Sequence, residues 1–202
     1  KNLSALVVRL WAKTIIYSLK KIINIEIKFT NSFIKKEGMI IAANHRSAFD
    51  TIYFLTVFDK VVYVVKNELK YIPVYGWYAM RIGNIFLNRS KKIESIKKLS
   101  RNINELMQNG YKIIIFPEGS RQKVNQIGEI KPGIFLLQSI TKKPIFPVYI
   151  NSGKTWPKNS LRIKKNNIEI IALKPIPYGF SKNRVKNLLK KNFIKNDKER
   201  ST

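Results

Sequence analysis

Three runs of this chain, GMIIAAN (38–44), YKIIIF (111–116) and IFPVYI (145–150), are apolar almost without interruption. Successive side chains of a strand point to opposite faces, so a half-exposed strand alternates apolar and polar residues. A run with no polar face predicts a strand covered on both sides, as in a sheet sandwiched between helices. IEIKFT (25–30) does alternate and reads as a half-exposed strand, while VVYVV (61–65), NIFLN (84–88) and IEIIAL (168–173) add three more. Residues 3–23, 48–58, 91–109, 133–141 and 181–195 read as helices. The clearest is 91–109, where Ile93, Ile96, Leu99, Ile103 and Leu106 keep three-and-four spacing and Gly110 stands where a helix stops. Strands alternating with helices predict an α/β fold with a central, mostly parallel sheet flanked by helices. No repeat, linker or composition break interrupts it. Residues 1–202 are therefore predicted to be one domain, with an N-terminal helix at 3–23, a core at 38–175 and a basic C-terminal helix at 181–195.

The surface of such a domain is strongly basic. Thirty-nine Lys and Arg against twelve Asp and Glu give a formal charge of +27. That charge attracts nucleic acid, anionic lipid head groups, or acidic substrates and carrier proteins, and selects none of them alone. The chain has no cysteine, which removes disulfides, thiolate metal sites and a cysteine nucleophile. With one histidine and few carboxylates, no metal site is expected. In the helix at 3–23, Arg9, Lys13 and Lys20 fall within about 40° of one another at about 100° per residue, leaving a broad apolar surface. Its cations argue against a membrane-spanning helix, so an amphipathic helix lying along a membrane is expected; packing on the domain's own core is the alternative. Trp11, Trp77 and Trp156 are candidate interface anchors, with a core role expected for at least one. The chain begins at Lys1 rather than Met, which leaves room for an upstream segment, a membrane anchor included.

Residues capable of chemistry gather where the predicted buried strands end, the usual ligand position in open α/β sheets. NHRSAFD (44–50) follows the first run and holds the only histidine, His45, five residues before Asp50. On one continuous helix those side chains would point about 140° apart. With His45 in a loop and Asp50 in the following first turn they can meet, the carboxylate orienting the imidazole while its other nitrogen accepts a proton. So short a spacing also describes a surface histidine beside a helix-capping aspartate. FPEGSR (116–121) follows the second run: Pro and Gly pin a turn around Glu118 and expose Ser120 and Arg121. Arg121 offers a planar fork for phosphate, and Glu118 either accepts from a substrate hydroxyl or braces the turn. Arg89 and Lys131 are further cations, each also readable as a solvated surface charge.

Taken together, NHRSAFD, GNIFLNR (83–89), FPEGSR, KPGIF (131–135) and KPIFPVYI (143–150) resemble, in order, the sequence blocks of the glycerolipid acyltransferase family, in its bacterial 1-acylglycerol-3-phosphate acyltransferase branch. The resemblance spans about half of the chain and implies a reaction. An acyl group passes from acyl-CoA or acyl carrier protein (acyl-ACP) to the 2-hydroxyl of lysophosphatidate, giving phosphatidate, with no cofactor beyond the donor. It makes His45 the base and Asp50 its orienting partner, and it assigns Arg89, Glu118, Gly119, Ser120, Arg121 and Lys131 to acceptor binding. It further implies an anionic membrane as partner and a place on the cytoplasmic face of a bacterial inner membrane, with no role for nucleic acid. Asn88 stands where the family often has an acidic residue, which loosens the acceptor assignment. Another lyso-lipid acceptor, thioester hydrolysis, and a non-catalytic basic binder of membrane or nucleic acid are the rival readings.

Overall fold

In a computed structural model, residues 2–30, 37–73, 75–87 and 93–199 are described. They build seven strands: β1 (Ile27–Thr30), β2 (Ile40–Ala43), β3 (Val61–Lys66), β4 (Ile85–Leu87), β5 (Lys112–Ile115), β6 (Ile145–Ile150) and β7 (Ile168–Ala172). The helices are α1 (Asn2–Lys21), α2 (Phe49–Val57), α3 (Tyr75–Arg81), α4 (Ile93–Gln108), α5 (Gly133–Thr141) and α6 (Lys182–Glu199), with a 3-10 turn at Asn67–Tyr71. Arg89 and Asn88 lie outside the described residues.

The strands form one sheet in the order β1-β7-β6-β2-β5-β3-β4. From β6 to β4 every pairing is parallel, with Ile40 of β2 opposite Ile113 on one side and Ile145 on the other. The fold is thus α/β with a mostly parallel sheet, and β7 adds a feature that its composition did not announce. It runs antiparallel to β6, and β1 follows β7, so two strands at one edge are reversed.

The alternation within the apolar runs now has a physical meaning. Ile41 and Ala43 point to one face and pack with α1 and α2, through Ala12, Ile16, Leu19, Phe49 and Phe54. Ile40 and Ala42 point to the other and pack with α4, α5 and α6, through Ile103, Ile134, Leu137, Leu189 and Phe193. Both faces are dry, and each isoleucine buried there contributes about 1.5–3 kcal/mol.

The structure adds to the sequence reading at three places. The helix expected at 91–109 is α4, and its apolar stripe is covered from Leu99 to Met107, with Ile96 40% exposed. The α3 helix and the 3-10 turn before it were not anticipated, because Pro73 and Gly76 break the apolar period there. At the C-terminus, α6 runs four residues past the predicted end at 195, and its added turn holds two buried polar residues, Asn196 and Asp197.

The N-terminal helix carries two apolar stripes rather than one. Ala12, Ile16 and Leu19 are buried against α2 and the sheet. Leu3, Leu6, Val7, Leu10, Trp11 and Tyr17 are exposed on the opposite side, with Lys13 and Lys20 between the two stripes. Trp77 and Met80 of α3 are also exposed, and Arg81 donates to Ser4 Oγ (3.1 Å), which ties α3 to the first turns of α1. Trp156 packs on the core instead and donates its indole N–H to Ser160 O (2.9 Å). Among the described residues, no helix is long and apolar enough to cross a membrane.

Candidate active site

β2 hands the chain to the site through a side-chain clamp. The Asn44 amide donates to Ile150 O (2.9 Å) and accepts from Ile150 N (2.7 Å), joining β2 and β6 one residue beyond their ladder. The chain then turns into α2, which begins at Phe49, so Asp50 sits in a first turn where the helix dipole favours a negative charge.

The Asp50 carboxylate folds back over the loop. Its Oδ2 accepts from the backbone N–H of Arg46 (2.7 Å) and of Ser47 (2.9 Å), and Oδ1 accepts from the Ser152 hydroxyl. Closing this small loop carries the preceding residue over the same oxygen, and His45 Nδ1 lies 2.9 Å from Asp50 Oδ2. The five-residue spacing is thus a loop closure onto a helix's first turn. Three other donors converge on a carboxylate with no exposed surface, so it faces the imidazole as an acceptor. That arrangement puts the ring proton on Nδ1 and leaves Nε2 as the accepting nitrogen. The ring also stacks on Phe116 at 4.0 Å and 15°, which fixes its plane.

The His45 main chain is held from the second motif. Its N–H donates to Glu118 Oε1 (3.2 Å), and its carbonyl accepts from Gln122 N–H (2.8 Å). Glu118 occupies a turn closed by a Gly119 N–H to Phe116 carbonyl bond (2.9 Å), with Pro117 in its second position. Gly119 takes a φ of +70°, the left-handed region that glycine enters without a Cβ penalty. Both Glu118 oxygens are engaged: Oε1 also accepts from Arg46 Nη1 (3.1 Å), and Oε2 accepts from Gly128 N–H (2.8 Å). With 2% of its surface exposed, Glu118 has the geometry of the brace rather than of a group reaching a substrate hydroxyl.

The cations stand outside this buried knot. Ser120 is exposed and Arg121 half-buried, in the segment whose next residue, Gln122, is bonded to His45. Gln122 also donates to the Ser120 hydroxyl (3.0 Å). Lys131 is exposed; its N–H donates to Pro117 O (2.8 Å), and its ammonium pairs with Glu129 (2.6 Å). The Glu129 carboxyl is held below its usual range, first by the Lys131 hydrogen bond and charge, then by Lys186 and Lys190 of α6. The structure therefore brings His45, Asp50, Glu118, Gly119, Ser120 and Arg121 to adjoining loops at the carboxyl ends of β2 and β5, with the Lys131 segment tied to them.

Sequence reasoning missed four participants. Lys66, exposed at the end of β3, adjoins Gly119 as Lys131 does, both side chains lying within 4 Å of where a Cβ on that glycine would sit. Ser152 bonds Asp50 from the loop after β6; the strand-end rule applied to NSGKT (151–155) would have added that loop to the candidate site without naming its partner. Arg46 and Asp197 are buried partners (3.0 Å) separated by 151 positions, a pairing with no local signal.

Known proteins resemble this chain over most of its length. The family model described as Acyltransferase matches residues 24–151. A 1-acyl-sn-glycerol-3-phosphate acyltransferase of Pseudomonas aeruginosa is 29% identical over 138 residues, covering 68% of this chain and 54% of that protein. A chloroplastic enzyme of the same name from Arabidopsis thaliana is 30% identical over 172 residues, covering 84% of this chain and 48% of its own. The chain spans about half the length of the curated relatives it matches. In fold it is similar to the crystal structure of the 1-acyl-sn-glycerophosphate acyltransferase from Thermotoga maritima, with a TM-score of 0.72 at 23% identity, covering 96% of this chain and 78% of the other. With the motif loops joined as described and the family model matched across them, the chain belongs to the acyltransferase family.

Proposed function

We propose that this chain transfers an acyl group from acyl-CoA or acyl-ACP to the 2-hydroxyl of 1-acyl-sn-glycerol 3-phosphate, forming phosphatidate. The observation that carries the reading is the 2.9 Å contact between His45 Nδ1 and the buried Asp50 carboxylate. The names of the relatives support the choice of acceptor.

In this reading His45 Nε2 takes the hydroxyl proton as the acceptor oxygen attacks the thioester carbonyl carbon. Asp50 stabilises the imidazolium that forms, and the fixed ring plane keeps it aimed. When the tetrahedral intermediate collapses, the C–S bond breaks and the departing thiolate takes the proton from Nε2. The nucleophile is the substrate's own hydroxyl, so no covalent enzyme intermediate is needed, consistent with a chain that has no cysteine. Arg121, Lys66, Lys131 and Arg89 are the candidate cations for the acceptor phosphate, with Ser120 as a hydroxyl donor. Glu118 positions the His45 main chain.

The exposed apolar stripe of α1, with cations beside it, suits a protein resting on an anionic membrane, where a lyso-lipid resides. In this reading the protein works on the cytoplasmic face of a bacterial inner membrane, the side on which soluble acyl donors are available. The test is radiolabelled acyl transfer with both donors against lysophosphatidate and other lyso-lipids. Phosphatidate should form, and His45→Ala should lower turnover by about 10²–10⁴-fold while the protein stays folded. Esterification of some other lyso-lipid alone would move the acceptor, and release of free fatty acid alone would mean hydrolysis. Full turnover by His45→Ala would remove the base.

A further inference from the structure

We propose that Asp197, in the last turn of α6, is a positioning residue for His45, acting through the buried guanidinium of Arg46. The inference rests on His45 being the base of the transfer. Arg46 is the residue after His45, and its side chain is 1% exposed, the largest fully enclosed side chain among the described residues. Its Nη1 donates to Glu118 Oε1 (3.1 Å) and Oε2 (3.2 Å), and its Nη2 donates to Asp197 Oδ2 (3.0 Å). The other Asp197 oxygen accepts from the Tyr149 hydroxyl (2.7 Å), and Tyr149 belongs to β6. Gly153 leaves room for this packing, since a Cβ there would stand 2.9 Å from Arg46 Cβ.

Two strands of this network meet at the base. Through its main chain, Arg46 donates to the same Asp50 oxygen that faces the imidazole. Through its side chain, it holds Glu118, whose Oε1 accepts from the His45 N–H. A shift of residue 46 therefore moves both the Asp50–imidazole contact and the backbone carrying the ring. Asp197 restrains that shift from the outer side, so the end of the chain is wired to a loop near its beginning. A buried ion network is poor at adding net stability, because desolvation offsets the attraction. Holding a geometry is the role such a network performs well.

The purified full chain provides a direct readout, because it contains one histidine. The ¹⁵N signals of that imidazole report its tautomer without any substrate. The wild type is expected to show the Nδ1-protonated form. Asp197→Ala should give a mixture of tautomers and lower kcat by about 10–100-fold, with KM for donor and acceptor little changed. Asp197→Asn keeps an acceptor for Arg46 and should restore most of both. Should the alanine variant fail to fold, Tyr149→Phe removes only the hydroxyl that fixes Asp197, and a smaller change in the same direction is expected. A folded Asp197→Ala protein, or Tyr149→Phe in its place, with wild-type ring signals and wild-type kcat overturns the proposal. Absence of transfer to every lyso-lipid would sink the functional reading, while the ring signals would still judge the role of Asp197.

Discussion

The first and last helices look alike as sequence: both are amphipathic, uncapped by proline and rich in lysine. The structure uses them in opposite ways. α6 buries Val185, Leu189 and Phe193, leaves one large apolar residue, Ile194, 41% exposed, keeps its lysines exposed or half-buried, and sends Asp197 into the polar network behind the site. α1 covers the sheet with a narrow stripe of Ala12, Ile16 and Leu19 and leaves larger residues in the open, Leu3 at 74% exposure and Tyr17 at 63%. α6 hides most of its large side chains. α1 shows most of its own along one side. Under the proposed function, that exposed stripe meets the acyl region of a membrane, where the acceptor resides.

This contrast can be broken most forcefully by truncating the same kind of contact in each helix. Phe193→Ala should cost about 3–5 kcal/mol, visible as a lower denaturation midpoint, because a fully buried ring leaves a cavity. Leu10→Ala on the outer stripe of α1 should stay within about 0.5 kcal/mol. Equal losses would mean that α1 is covered in solution. Next in size, the double variant Leu6→Asp and Leu10→Asp should weaken sedimentation with anionic vesicles by about ten-fold or more, with detergent-assayed turnover preserved. Matching losses in vesicles and detergent would assign the stripe to folding instead. The smallest effect belongs to the cations: Lys13→Gln and Lys20→Gln should each remove about 1 kcal/mol of vesicle binding, vanishing on neutral vesicles and at high salt. Corresponding charge removal at Lys191 on α6 should change vesicle binding less.

The site divides along a similar line. Its buried half is over-determined: Asp50, Glu118 and Arg46 hold one another and the His45 main chain through short bonds, and the ring lies flat on Phe116. Its outer half, Ser120, Lys131 and Lys66, is exposed. The difference fits their proposed tasks. A base must hold one geometry throughout the reaction, whereas groups that grip a phosphate must admit it from solvent and release it.

Much of the fold was legible because local pattern and burial are the same fact. An apolar run such as IIAA needs both faces dry, and the helices on either side supply the cover. The motif order likewise exposed the strand-end loops and the His45–Asp50 pair. Strand direction was not legible, since IEIIA presents the same alternation whether it runs up or down, and β7 runs down. The roles of Glu118 were left open for a related reason: a carboxylate between Pro and Gly brackets a turn, but only the position of Arg46 and of the Gly128 N–H shows what occupies its oxygens.

By itself the sequence determined which stretches are buried strands, which loops carry the polar chemistry, and that one imidazole serves the chain, because each follows from residue type at short range. Tertiary structure alone decided that Ser152 completes the shell of Asp50 and that Asp197 reaches Arg46 from 151 positions away. Those partners meet only after the sheet has brought its carboxyl ends together, and no pattern along the chain encodes which distant donor fills a buried acceptor.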